Sequence, residues 1–485
     1  MPSPLEQFTK LVAKKLRYLG YLSPTARILG LLVNTAYLAT LRTEEGKFVL
    51  GSLIFADPRH PDSDRPFLRR ANYPSFTPFD SPVRLTVEKL VKLSRAVDGW
   101  SGSIAVYGTP RSSIVAWGVL DQLVQHNVSL RGEKEGGFHP PGILRLAMDG
   151  IGALSAYQGD LFLGGVRQDQ VVHSEQVVLY STGLAKRLHS ILSPIAQKIS
   201  MALGSSIPSS ENEQELFNEW SKTIARICIG IRRAGTGGAL LISPHPNTRI
   251  LEVGHRIPYS RLGHAAILHV LDSQYSRLCY KAYSDSREKN DVVSIKMVSE
   301  QDCAETDQED RESELSAAIR MVTSFASLDG IVLLTPLLEV VGFGVKVLSS
   351  PSASRVYVAD DYVRRGSKAK CIDISQFGMR HISMLNYCLA DRKAIGIVVS
   401  QDGQVRLMFS EGKSLLLWEN VQLLRYGSNV RSYAKMIRRN QTQKRAAHFK
   451  RVLGYTDMPK TFSRLMGLKS KKTMSIKTPS TRIIS

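Results

Sequence analysis

The chain has 485 residues, 43% hydrophobic and 22% charged, the balance of folded globular protein rather than disordered chain, and long enough for two or three domains. Five cysteines without a CxxC pair argue against a disulfide framework and for a reducing, cytoplasmic setting. The net charge of +21 is uneven: residues 431–485 hold fifteen Lys/Arg against one acid, Asp457, whereas residues 300–314 (EQDCAETDQEDRESE) are strongly acidic.

Lys14, Lys15 and Arg17 are not followed by a continuous apolar run, so no signal peptide is expected. Leu22–Leu41 has helical spacing at Ile28, Leu31, Leu32 and Ala36. FVLGSLIF (48–55) predicts a strand. The Pro-, Asp- and Ser-rich stretch from Asp57 to Pro82 predicts a long loop, and Val83–Val97 an amphipathic helix. Strand-like runs follow at Ser103–Tyr107, Ser113–Val119, Leu144–Met148, Ala153–Tyr157 and Leu161–Leu163. Residues 183–205 predict a helix, and the polar run beginning at Ile207 a domain boundary. Glu213–Arg233 has one apolar stripe, from Leu216 through Trp220 and Ile224 to Ile231, and stops at Ala234-Gly235-Thr236-Gly237-Gly238. Ala239–Ser243 predicts a buried strand, 285–312 a polar, acidic excursion, and Leu315–Ser327 a helix. The most apolar stretch, Gly330–Leu348, is broken by Pro336, Glu339 and Lys346 and predicts two strands and a turn rather than a membrane span.

The chain also parallels itself. SIAVYGTPRSSIVAWGVLD (103–121) is similar in pattern to GIVLLTPLLEVVGFGVKVL (330–348), and ALSAYQGDLFLGG (153–165) to GIVVSQDGQVRLM (396–408). Two related α/β units, the first eroded, are one reading; the common look of any two β-hairpins is the other.

Three short motifs in the C-terminal half carry candidate chemistry. Asp329-Gly330 stands at the mouth of a buried strand, where ligands gather in α/β sheets and where glycine lets a ligand approach the backbone. Gly378-Met379-Arg380-His381 precedes a helix-like run at 383–390. An arginine fork and a histidine donor would therefore lie near a helix N-terminus, which favours anions. Ala394–Ser400 ends in Gln401-Asp402-Gly403, where the Ser400 hydroxyl can bond a phosphate or the segment can be a plain hairpin turn. His245, His255, His264 and His269 have no zinc-ligand spacing, and no metal site is assigned to them.

In this order, after a helix, GTGG and a strand, the three pieces resemble the diadenylate cyclase domain family, found at the N-terminus of DNA-integrity scanning proteins. AYLATLRTEEGKFVLGSLIFADP (36–58) resembles the DACNV-type sensor region that accompanies such domains. The resemblance implies a mixed β-sheet flanked by helices, preceded by a second, related or eroded α/β sensor domain. It divides the chain into a basic segment 1–20, a sensor domain 21–206, a cyclase-like nucleotide-binding domain 213–427 and a basic tail 428–485.

The family condenses two ATP into cyclic di-AMP with a divalent metal, Mg or Mn, between two domains that face each other. Its DGA motif falls on Asp329, Gly330 and Ile331, and its GTRHRA motif on Gly378 through Ser383, keeping Gly378, Arg380 and His381 but carrying Met379, Ile382 and Ser383. Its VSEE-like strand end falls on Ser400, with Gln401 for a metal-associated glutamate. The lost arginine and carboxylate each remove charge from a site that must neutralise a triphosphate and hold a hard cation. The expectation is a nucleotide-sensing, catalytically impaired relative. Asp329 is vestigial as a catalytic group; Asp329, Gly330, Gly378, Arg380, His381 and Ser400 hold ATP or a related nucleotide; and Mg or Mn is required only if activity survives. An active cyclase, in a face-to-face homo-oligomer, is one alternative. A protein whose basic tail binds nucleic acid or an acidic partner is the other.

Overall fold

The computed structural model describes residues 2–19, 24–58, 75–97, 102–109, 113–121, 144–158, 161–167, 170–173, 178–288, 295–328, 330–348, 356–359, 371–401, 403–411, 414–421 and 423. Asp329, Asp402 and the basic tail lie outside the described residues.

The N-terminal part begins with α1 (Pro4–Leu19) and α2 (Ala26–Thr40), the latter capped by the Thr25 hydroxyl accepting from the Ile28 amide. The short strands β1 (Thr43–Glu44) and β2 (Lys47–Phe48) pair as a hairpin. There follow β3 (Gly51–Phe55), β4 (Ser75–Arg84), α3 (Val87–Ala96), β5 (Gly102–Gly108), β6 (Ile114–Asp121), β7 (Leu144–Gly150), β8 (Ala153–Gln158), β9 (Leu161–Arg167) and β10 (Gln170–Val172). β3 to β10 form one eight-stranded sheet in the order β10-β9-β8-β7-β3-β5-β6-β4. Phe8, Val12 and Leu16 of α1, Leu29, Leu32 and Val33 of α2 and Leu90 of α3 bury one face of it. The segment read as a basic N-terminal extension is thus a helix whose apolar stripe belongs to this core. The loop expected up to Pro82 also ends earlier, because β4 pairs with β6 from Ser75 onward.

The C-terminal part runs α4 (Thr182–Ala202), α5 (Ser209–Ala234), β11 (Gly238–Ile242), β12 (Leu251–Tyr259), α6 (Arg261–Glu288), α7 (Ile295–Ala326), β13 (Ile331–Leu334), β14 (Val340–Val347), β15 (Val356–Val358), α8 (Met379–Ala390), β16 (Ile395–Val399), β17 (Val405–Glu411) and β18 (Ser414–Trp418). Its sheet has the order β12-β14-β13-β11-β16-β17-β18-β15. Helices α4 to α7 cover one face, with Leu188, Trp220, Ile224 and Val322 in a single cluster with Leu240 and Ile397. Helix α8 covers the other, through Met384, Leu385 and Tyr387. α4, which the sequence reading grouped with the N-terminal domain, packs in this C-terminal core. The acidic excursion at 300–314 is the middle of α7: its exposed carboxylates line the outside while Ala304, Glu312 and Leu315 turn inward.

Glu312 is buried for a specific reason. It pairs with Arg226 of α5 at 2.9 Å and accepts from Ser316 at 2.9 Å, and Arg226 also donates to Ser316 at 2.7 Å. His269 of α6 lies 3.7 Å from Glu312 and 3.9 Å from Glu219, with its Nδ1 buried and unpartnered among the described residues. Helices α5 and α7 are therefore fastened here by charge as well as by apolar packing.

The two sheets share the order and direction of seven strands and differ at one edge, where β10 lies antiparallel to β9 but β15 lies parallel to β18. In each, a central strand (β3, β11) runs parallel to one neighbour (β5, β13) and antiparallel to the other (β7, β16). Gly51 faces Met148 as Gly238 faces Val399, and Phe55 faces Leu144 as Ile242 faces Ile395. Continuing the parallel registers by two residues sets Gly51 level with Gly102 and Gly238 level with Gly330. The self-similarity of 103–121 and 330–348 falls on these equivalent strands, β5–β6 and β13–β14. The second parallel is one strand out: the counterpart of β16–β17 is β7–β8, not β8–β9.

Candidate nucleotide site

Helix α5 ends because Gly235 takes a left-handed conformation (φ 68°) that a side chain resists, and Gly237 does the same (φ 65°). The chain turns there into β11, the centre of the sheet. Parallel β13 enters beside it at Gly330, and antiparallel β16 leaves beside it at Val399-Ser400. The glycine-rich turn, the entry to β13 and the exit from β16 therefore share one end of the sheet. These loops leave a rigid scaffold together, the usual setting for a ligand.

Gly378 is the N-cap of α8 with no side chain to satisfy the helix's first amides, and Arg380 stands in the first turn. The Arg380 guanidinium reaches the glycine-rich turn. A Cβ placed on Gly237 would lie 2.9 Å from Arg380 Nη1, 3.0 Å from the Val399 carbonyl oxygen and 3.3 Å from the Gln401 amide nitrogen. Any larger residue at 237 would push the arginine aside. Gly330 (φ 121°) is held equally close on its other side, where a Cβ would lie 2.7 Å from Gly344 Cα. Gly330, Arg380 and Ser400 are thus brought to one end of the sheet, with Gly378 at the head of the helix that carries Arg380.

His381 has a partner within the protein on one of its ring nitrogens. It is buried, its ring stacks on Phe377 at 5.8 Å, and its Nε2 lies 3.1 Å from Arg406 Nη1. Guanidinium only donates, so Nε2 accepts. Arg406 in turn pairs with Glu419 at 3.3 Å and donates to the Gln404 side chain. His381 therefore fixes the start of α8 onto β17. The Ser400 hydroxyl donates to the Gln404 carbonyl at 3.1 Å, inside a tight turn closed by the Gly403 amide on the Ser400 carbonyl at 3.0 Å. Its proton is committed to the turn.

The far end of α8 is anchored by Tyr387, whose hydroxyl accepts from the Asn247 amide at 3.0 Å. Burial pushes that phenol above its ordinary pKa, so it stays protonated. Arg406 and Gly237 went unnoticed in the sequence. A lone arginine between Val405 and Leu407 on a strand was the available signal for the first. The second was read only as part of a helix stop.

Gln401 offers an amide where a hard cation wants carboxylate, and among the described residues no group of three or more His, Cys, Asp or Glu side chains is placed to hold one ion. A separate cleft of about 490 Å³ lies in the N-terminal unit between α1, α2 and the β7–β8 turn, lined by Leu5, Tyr37, Leu41, Ile151 and Gly152 among others. Its apolar walls offer no phosphate clamp.

Residues 21–121 match the family model described as "Probable sensor domain DACNV". The match covers α2 to β6, most of the N-terminal unit, so that unit is similar to the sensor region that accompanies diadenylate cyclase domains. No curated protein matches the chain. Among the described residues no helix is long and apolar enough to cross a membrane.

Proposed function

We propose that the C-terminal unit binds a nucleotide at the sheet end formed by the glycine-rich turn, the start of β13 and the start of α8, and that the protein senses this ligand without condensing it. The observation that carries the reading is the seat of Arg380: a phosphate-matching fork in the first turn of an uncapped helix, pressed against Gly237 so closely that no side chain fits between. The sensor-domain match at 21–121 supports it from the other half of the chain.

The reading stops short of catalysis because of what has been replaced. Ile331 is buried in the apolar cluster beneath α8 and offers a phosphate nothing. Met379 is 76% exposed at the head of α8, an apolar side chain where the related family has a hydroxyl. Ile382 removes a second guanidinium from the same helix turn, and Gln401 removes a carboxylate. Phosphoryl transfer of this kind proceeds by positioning and charge neutralisation, and both are diminished here.

Incubating the full chain with ATP and Mg or Mn tests this half of the proposal. The expected result is no cyclic di-AMP above a protein-free control. Product that disappears in Asp329→Asn would show an active cyclase instead.

A further inference from the structure

The N-terminal unit meets the C-terminal unit at the candidate site, and the surfaces that meet are counterparts. Phe48 precedes Gly51 by three residues, as Gly235 precedes Gly238, and a Cβ on Gly235 would lie 3.7 Å from the Phe48 ring. The β7–β8 turn of 149–153 and the β16–β17 turn of 400–404 hold matching places, since Met148 faces Leu154 as Val399 faces Val405. Each turns on a left-handed glycine, Gly152 (φ 59°) and Gly403 (φ 82°). These turns also touch: a Cβ on Gly403 would lie 3.2 Å from the Asp149 carbonyl oxygen. Two sheets that share seven strands in order and direction thus present the same end to each other.

The contact is charged. The same Gly403 position lies 3.3 Å from Arg232 Cγ, and the Arg232 Nε is buried without a hydrogen-bond partner among the described residues. A buried guanidinium nitrogen left without an acceptor is costly. On the other side, the Asp149 carboxylate is already held by Arg167 at 3.0 Å and by Ser155. The contact thus leaves the Arg232 Nε on the C-terminal side without an acceptor among the described residues.

We infer that the N-terminal unit is the second wall of the nucleotide site: a phosphate-bearing nucleotide sits between the two matching sheet ends, and its binding couples the sensor unit to the C-terminal unit. This rests on the nucleotide reading above. It also has a consequence for assembly. The end of the C-terminal sheet that a second chain would have to face is covered by the chain's own N-terminal unit, so one chain makes one site.

The test uses the full-length protein with ATP and cyclic di-AMP as probes. Phe48 is 39% exposed and outside either core, so Phe48→Ala and Phe48→Asp leave the fold intact; melting curves check this. If the N-terminal unit walls the site, Phe48→Asp weakens the bound probe by about tenfold or more, the range of ordinary site coupling, and Phe48→Ala weakens it less. Hydrogen exchange then shows the probe slowing amides of 149–153 and 43–48 as well as 235–238. Wild-type binding that neither variant alters, with protection confined to the C-terminal unit, overturns the inference and leaves the nucleotide reading standing. Absence of binding of either probe to the wild-type chain overturns both.

Discussion

Glu312→Ala lowers the stability of the full chain by about 3–5 kcal/mol, the usual loss when one partner of a buried ion pair is removed. For a unit of roughly 200 residues this is a fall in melting temperature of about 10 °C. The cause is what remains behind. Arg226 is 12% exposed and already has one unpartnered nitrogen, Nη1, before the change. Without Glu312 its charge is left in a gap between α5, α6 and α7 with only Ser316 to accept from it. His269 loses one of its two carboxylate neighbours as well. Glu312→Gln keeps an acceptor for Arg226 and costs less. Replacing both charges, Arg226→Met with Glu312→Leu, costs less than Glu312→Ala alone, because no orphaned ion is created. Thermal melting of the four proteins checks this ordering, and a Glu312→Ala chain that melts within about 2 °C of wild type would mean the pair is solvated.

Gly330→Ala is the second large effect, and it acts on the backbone. At φ 121° an L side chain is strained, and the added methyl would meet Gly344 Cα at 2.7 Å, where two strands already pair. Strain and overpacking each contribute about 1–3 kcal/mol, so a loss of about 2–6 kcal/mol follows. Gly378→Ala serves as the contrast: Gly378 has φ −67° and nothing within 4 Å of its Cβ direction, so its melting point stays near wild type. The comparison separates a glycine required by the sheet from one that is merely tolerated at a helix cap.

These two sites show where the sequence was legible. The apolar stripe of Glu213–Arg233 predicted α5 because a core-facing helix must repeat its apolar residues every three or four positions. Gly330–Leu348 predicted a strand pair because Pro336 and Glu339 interrupt it where β13 gives way to β14. The acidic run 300–314 hid a helix, since most of its charges face solvent while Gln301, Ala304 and Glu312 turn to the inner side. Long-range pairing decided the strand β4 in a stretch that composition marked as loop. The duplication was half visible: β5–β6 and β13–β14 share a pattern, but β16–β17 resembles β8–β9 as closely as its true counterpart β7–β8, because alternation does not record strand order.

At the site, Arg380 near a helix start was legible from Gly378 and the apolar run behind it. The engagement of His381 with Arg406 was not, because it depends on α8 lying across β17. Nor was the closeness of Gly237 to Arg380, which only the packing of the turn against the helix head creates.

Titration of ATP and of cyclic di-AMP into the full chain, beside the same titrations of Arg380→Ala, tests the central claim most directly. The account predicts saturable binding of at least one of them at one site per chain. It also predicts that Arg380→Ala weakens this binding by about tenfold or more, the loss of a charge-assisted hydrogen bond to phosphate of about 1.5–3 kcal/mol. Binding that is identical in wild type and Arg380→Ala, or no binding of either nucleotide to the wild-type chain, would contradict it.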